Sequence, residues 1–424
     1  MTVRKTLLTG TAATVVAVVA LTGCSTKAQG GGDSGGGKGD VKTDLGVTDD
    51  TITLGALTDA SGVFKATGLA NTHGNELWVD DINAAGGICG RQIKLNVQDH
   101  GYKADNAVPL YEKMKSEVAA MIQVNGSPVL AALKQKLTNE KMLSIPSATA
   151  SVNLDSESIL MIGQTYDVEM VNGLAYLQKE GKIADGDKIG HIYVDSEYGQ
   201  NSLLGTKAYA KEHKMEVVEA TVSASDTDMT ATITKLKEAG VKAIALAVTP
   251  GALGSVALQN VAQGLNVPMI GNNPTYSVSL LKDQATSQAL QQNYLFLNSV
   301  DAYSDTDNAA MVDIAEKYKK KYPEEPEKAI PSGYVFGMAF EQILKKACDN
   351  GDLTRAGILK AREQITSVDT KGLTGKLDLS KHGEPTSREA YILKVDPNAP
   401  TGLVKTGDLF SSKEADEYKA PYQK

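Results

Sequence analysis

Ser127 is followed by Pro128 at a point where a β-strand gives way to a helix. The first amides of a helix have no intrahelical partner, proline suits the first helical position, and the helix dipole favours an anion there. A serine in this place either caps the helix or helps to hold an anionic group. A different chemistry stands near the start of the chain, in Leu21-Thr22-Gly23-Cys24. A thiol preceded by two small residues has the form of a lipobox, where bacteria cleave before a cysteine and acylate its sulfur. The aromatic side chains are 16 tyrosines against 5 phenylalanines and 1 tryptophan, a choice suited to rings that must also hydrogen-bond.

The residue types that carry catalysis are not arranged for it. No Gly-x-Ser-x-Gly elbow, Walker A loop or Gly-x-Gly-x-x-Gly after the first strand is present. Gly251-Ala252-Leu253-Gly254 reads as a tight strand-to-helix turn. His73, His100, His191, His213 and His382 have no ligand spacing and are expected to be surface or capping residues. The sequence therefore predicts no enzyme, no metal and no cofactor.

At 424 residues the chain is long enough for at least two lobes. Its hydrophobic fraction of 42% and charged fraction of 22% are those of a folded globular protein. A net charge of −8 argues against nucleic acid as a partner, because phosphates require a basic face. Arg4 and Lys5 precede an apolar run, Leu7 to Leu21, too short and interrupted to span a membrane. Residues 1–23 are thus expected to be a signal peptide, and residues 24–46 a tether beginning at the acylated Cys24. The glycine-rich Gln29–Asp40 cannot bury apolar surface and suits a flexible linker. The expected location is the outer face of the cell membrane, held there by lipid.

From residue 47 onward strands and helices alternate. Strands are predicted at 51–57, 92–98, 118–124, 142–146, 188–194, 215–222, 241–248 and 267–271. Helices are predicted at 70–84, 104–116, 128–139, 168–180, 200–213, 228–239 and 253–264. Phe336, Phe340, Ile343, Leu344 and Ala347 recur at helical spacing further on. This rhythm predicts an α/β fold of two doubly wound parallel-sheet lobes with helices on both faces.

Four segments then carry a resemblance. Ile82-Asn83-Ala84-Ala85-Gly86-Gly87-Ile88-Cys89-Gly90-Arg91-Gln92-Ile93 resembles the helix-to-strand corner of type I periplasmic binding proteins of the branched-chain amino acid transport family. Gly55 to Gly68, Ser144 to Thr149 and Asp195-Ser196-Glu197-Tyr198-Gly199 follow in the order that family has. The resemblance implies lobes at 47–163 plus 303–365 and at 164–302 plus 366–424, joined by a three-strand hinge. It implies a small-molecule ligand held between the lobes and passed to an ABC permease and its ATPase, by a monomer. The alternative is a receptor module of the same fold that signals instead of transporting.

The resemblance also proposes a site. Ser127, Ala148 and Thr149 would hold a ligand carboxylate, and Tyr198 would pack on the ligand from the second lobe. Phe64, Tyr102, Tyr276 and Tyr303 are further candidates to line the cleft. Amino-acid binders of the family carry a glutamate near the turn that here reads Gly271-Asn272-Asn273-Pro274-Thr275-Tyr276, without an acid. Either Asp195, Glu197 or Asp301 replaces it, or the ligand lacks an ammonium group, carrying a carboxylate or amide and a neutral polar or aromatic remainder that the asparagine pair, Asn273 included, would bond. The latter is the expectation. Cys89 and Cys348, both in the first lobe on this map, are expected to form a disulfide, the alternative being two small buried apolar residues.

Overall fold

A computed structural model describes residues 41–423; the expected signal peptide, Cys24 and the stretch Gln29–Asp40 lie outside the described residues. Two sheets form where apolar, β-branched runs can be buried on both faces. The first contains β1 (Thr51–Thr58), β2 (Gln92–Asp99), β3 (Ala120–Val124) and β4 (Ser144–Pro146), all parallel and ordered β2-β1-β3-β4. The second contains β5 (Lys188–Val194), β6 (Glu216–Val222), β7 (Ala243–Ala247), β8 (Met269–Gly271), β9 (Tyr294–Asn298), β10 (Tyr391–Val395) and β11 (Leu403–Lys405). Its order is β11-β10-β9-β8-β7-β5-β6. β5 to β9 are parallel, and β10 and β11 add an antiparallel edge. That edge differs from the expected all-parallel lobe. β11 runs antiparallel to β10 because the turn between them is too short for a parallel crossover.

Helices cover both sheets: α1 (Lys65–Ala84), α2 (Ala104–Met114), α3 (Ser127–Asn139), α4 (Tyr166–Lys179), α5 (Glu197–Glu212), α6 (Thr230–Ala239), α7 (Pro250–Ala262), α8 (Gln284–Asn293), α9 (Ala309–Lys321), α10 (Ile330–Asp349), α11 (Arg355–Arg362) and α12 (Lys413–Glu417). None of the described helices is long and apolar enough to cross a membrane.

α1 and α10 lie together against the first sheet. Gly337 makes this possible, because a Cβ there would stand 2.2 Å from the ring of Trp78. Trp78, Phe336, Phe340, Ile343 and Leu344 share one core with Ile52, Leu54 and Ile122 of the sheet. Each such side chain contributes about 1.5–3 kcal/mol when fully buried. Val368, Leu373, Leu377 and Leu379 join that same core. The division expected from the sequence puts them in the second lobe; their apolar side chains instead cover the first sheet. Cys89 and Cys348 form a disulfide, Cα atoms 6.4 Å apart, between the end of α1 and the end of α10.

Three crossing segments run between the sheets and are bonded to one another. Thr386 Oγ1 accepts from the Gly163 amide at 2.9 Å and donates to the Met161 carbonyl at 2.8 Å. The Gln164 amide donates to Ser299 Oγ at 3.1 Å, and the Asp301 amide to the Leu373 carbonyl at 2.7 Å.

His100 and His191 correct an expectation, for both are fully buried. Burial drives the His191 imidazole down to about 3, so it is a neutral core residue, with Nδ1 2.8 Å from Thr206 Oγ1. Among the described residues no cluster of His, Cys, Asp or Glu could hold a metal ion.

Candidate functional site

β1 has β2 on one side and β3 on the other, and β5 likewise has β6 and β7. Doubly wound sheets bind ligands outside the carboxyl ends of strands at such points. The segments leaving β1, β3, β4, β5 and β8 meet there around a small cavity.

The turn after β1 is held by Asp59, which is fully buried. Its Oδ1 accepts from the Gly62 amide at 2.5 Å and its Oδ2 from the Phe64 amide at 2.9 Å, which fixes Phe64 over the cavity. After β3, Gly126 takes φ +97°, and a Cβ on it would meet the Tyr102 ring at 2.8 Å. A non-glycine residue is disfavoured on both counts, so the chain enters α3 with Tyr102 against its first turn. Ser127 opens α3 with Pro128 behind it, and Gly126 at the cap position has no side chain to occupy the first amides. Asn125, Gly126 and Ser127 border the cavity, with Ser147 and Ala148 from the end of β4 beside them, and the Ser127 side chain bonds the Tyr166 phenol.

Four rings form the wall. Tyr102 lies 4.8 Å from Phe64, Phe64 lies 6.4 Å from Tyr198 edge-on, and Tyr198 lies 4.8 Å from Tyr166. Tyr198 begins α5, where Gly199 lets the helix sit on the end of β5: a Cβ there would be 2.0 Å from the Val194 carbonyl. Its hydroxyl donates to Asn272 Oδ1 at 2.6 Å, and Asn272 Nδ2 donates to Ser202 Oγ at 2.7 Å. Tyr166 begins α4 and donates to the Ser147 carbonyl at 3.4 Å. Burial pushes the Tyr102, Tyr166 and Tyr198 phenols well above their usual range, so all three are neutral donors.

Of the residues singled out in the sequence, Phe64, Tyr102, Ser127, Ala148, Tyr198 and Asn273 border this cavity. Thr149 borders an adjoining compartment that shares Ser147 and Asn273 with the first. Tyr276 does not reach either: it lies in the second core and donates to the Thr401 carbonyl at 3.1 Å. Tyr303 is likewise in the first core. Asn272 faces away, its amide occupied in holding Tyr198.

Asp195, Glu197 and Asp301, considered as replacements for a missing acid, are not at the cavity. Asp195 is exposed, Glu197 accepts from Asn153 Nδ2 at 2.6 Å, and Asp301 pairs with Lys405 at 3.2 Å. No charged side chain borders the front cavity among the described residues. Sequence reasoning missed Tyr166, Thr67 and Asn125 in front, and Gln164, Glu169 and Asn298 behind. Glu169 stands between Val168 and Met170 in the first turn of α4, where two acids also suit the helix start, so the sequence alone does not separate its role from that of Asp167. Burial raises the Glu169 carboxyl to about 8, so it is largely protonated at neutral pH. Lys328, also buried, is lowered to about 8 by the same cause.

A sequence profile described as periplasmic binding protein matches residues 51–401. A solved fatty acid ABC transporter substrate-binding protein from Thermomonospora curvata is 36% identical, with a TM-score of 0.86 over 90% of this chain and 97% of that one. A branched-chain amino acid ABC transporter structure from Thermus thermophilus with bound valine has a TM-score of 0.77 at 16% identity, covering 87% of this chain and 98% of that one. The Leu/Ile/Val-binding protein homolog 3 of Brucella melitensis biotype 1 is 23% identical over 83% of this chain and 93% of its own length. The chain belongs to the periplasmic binding protein family. Its fold is that of the type I members, and it is a substrate-binding protein of the ABC transporter kind.

Proposed function

We propose that the chain captures a monocarboxylate with an uncharged apolar or aromatic body and delivers it to an ABC import permease. The carboxylate sits at Ser127, Ala148 and the first turn of α3, and the body lies against Phe64, Tyr102, Tyr166 and Tyr198. One observation carries this reading: the cavity combines a helix start with four rings and has no charged side chain. A free ammonium would enter such a site without a counter-ion, and hydrogen bonds to charged groups are worth about 1.5–3 kcal/mol. The fatty acid specificity in the name of the Thermomonospora curvata relative points to the same ligand class.

In this reading the chain is a monomer without catalytic activity, anchored through acylated Cys24 after loss of residues 1–23. Its lobes are built on the two sheets and close about the crossing segments, and the ligand favours closure by touching both. Calorimetry with hexanoate and phenylacetate, set against leucine, isoleucine and valine, is the test. Carboxylates should bind and the amino acids should be at least tenfold weaker; sub-micromolar binding of any of the three would refute the proposal.

A further inference from the structure

The compartment behind the front cavity contains two polar atoms with nothing to bond. Gln164 is 1% exposed and Asn71 is 2% exposed, and Gln164 Nε2 and Asn71 Oδ1 have no hydrogen-bond partner. The orientation of Gln164 is fixed from outside. The Ser412 amide donates to Asn172 Oδ1 at 2.8 Å, so Asn172 Nδ2 is the donor, and it reaches Gln164 Oε1 at 2.8 Å. A flipped Gln164 amide would set two donors against each other, so its NH2 remains the orphan. An unmet buried donor is costly, and native proteins rarely retain one without a partner.

Glu169 borders the compartment with a carboxyl that burial raises to about 8, and its Oε2 accepts from the Asn273 amide at 3.4 Å. On the other side of Asn273, buried Lys328 Nζ donates to its Oδ1 at 3.5 Å. Ser147 and Asn273 border both spaces, so the two lie side by side and are separated by no more than these side chains.

We infer that this rear compartment is a second subsite that takes an uncharged hydrogen-bonding group, a carboxamide or hydroxyl, at the far end of a carboxylate held in front. Such a group accepts from Gln164 Nε2 and donates to Asn71 Oδ1, and the apolar body between the two ends lies along the rings. The inference rests on the carboxylate reading of the front cavity.

The test compares two ligands of matched length, hexanoate and adipic acid monoamide, by calorimetry on the wild type, Gln164→Leu and Asn71→Leu. The monoamide should bind about tenfold more tightly to the wild type, the scale of one or two buried hydrogen bonds. That preference should collapse towards unity in each variant, and either variant suffices if the other does not fold. A wild type that prefers hexanoate, or a preference that survives both substitutions, overturns the inference. If neither acid binds, the front-cavity reading has failed instead. Crystals soaked in propionamide then decide for the rear: an amide bonded to Gln164 supports the subsite, and water alone overturns it.

Discussion

The front cavity and the rear compartment share two residues and little else. The front is made where strands end and helices begin, and its polar side chains are neutral: Ser127, Ser147, Thr67, Asn125, Asn273 and three phenols. The rear is made from the sides of α1, α4 and α10 and from the crossing segments, so its polar groups include the side chains of Asn71, Glu169, Gln164, Asn298 and Ser332. The difference teaches that chemistry within one cleft follows from which part of an element faces it. Helix starts offer directed donors without charge; helix interiors offer whatever side chain the position carries.

The sharpest way to break this contrast is to remove one ring. Tyr198→Ala deletes a buried side chain and leaves Asn272 Oδ1 without its donor, which should cost about 3–5 kcal/mol in urea unfolding. Asn71→Ala in the rear removes an acceptor that bonds nothing, and should cost less than about 1 kcal/mol. Equal losses would erase the distinction between the two spaces.

Neither space touches the Cys89–Cys348 disulfide, which lies at the opposite ends of the first-sheet strands. Reduction should lower stability by about 2–5 kcal/mol with ligand affinity kept at temperatures where the chain remains folded. A parallel loss of affinity would tie the disulfide to the site.

Acidity separates the compartments further. Unfolded, Glu169 ionises near its ordinary 4.5, whereas folded it keeps its proton up to about 8. Between those values the folded chain holds the extra proton, so this residue makes stability fall as pH rises through that window. Lys328 works in the opposite sense: its folded value of about 8 lies below its ordinary 10.5, so stability recovers between them. Unfolding midpoints taken from pH 5 to 8 should decline less in Glu169→Gln than in the wild type. Identical slopes would mean that Glu169 is ionised in the folded chain.

The smallest effect expected is that of Ser127→Ala. A single neutral hydrogen bond of about 0.5–1.5 kcal/mol corresponds to a two- to tenfold weaker carboxylate, read by titration. No change at all would place the anion on the α3 amides alone.

Much of this arrangement was legible in the sequence. The first eight strands follow from short apolar runs separated by helical spacing, and Gly126, Ser127 and Pro128 mark a helix start. β9 was missed because Tyr294–Asn298 continues directly from α8 without a glycine or proline to mark a boundary. β10 and β11 belong to a sheet whose other strands end about a hundred residues earlier, and no local pattern announces such a partner. At the site, Phe64 and Tyr102 lie close to strand ends and could be found by position. Tyr166 could not, since it stands where the chain crosses between sheets. Tyr276 misled because a turn after a strand was taken to face the cleft; its ring found a larger apolar surface against Tyr294 and Phe296.

Trp78 is the only tryptophan of the chain, and it lies between α1 and α10 with its indole nitrogen 3.3 Å from Glu341. The front cavity, by contrast, contains three tyrosines. Indole emission therefore follows the integrity of the first core alone, and unfolding of that core can be watched without attaching a label.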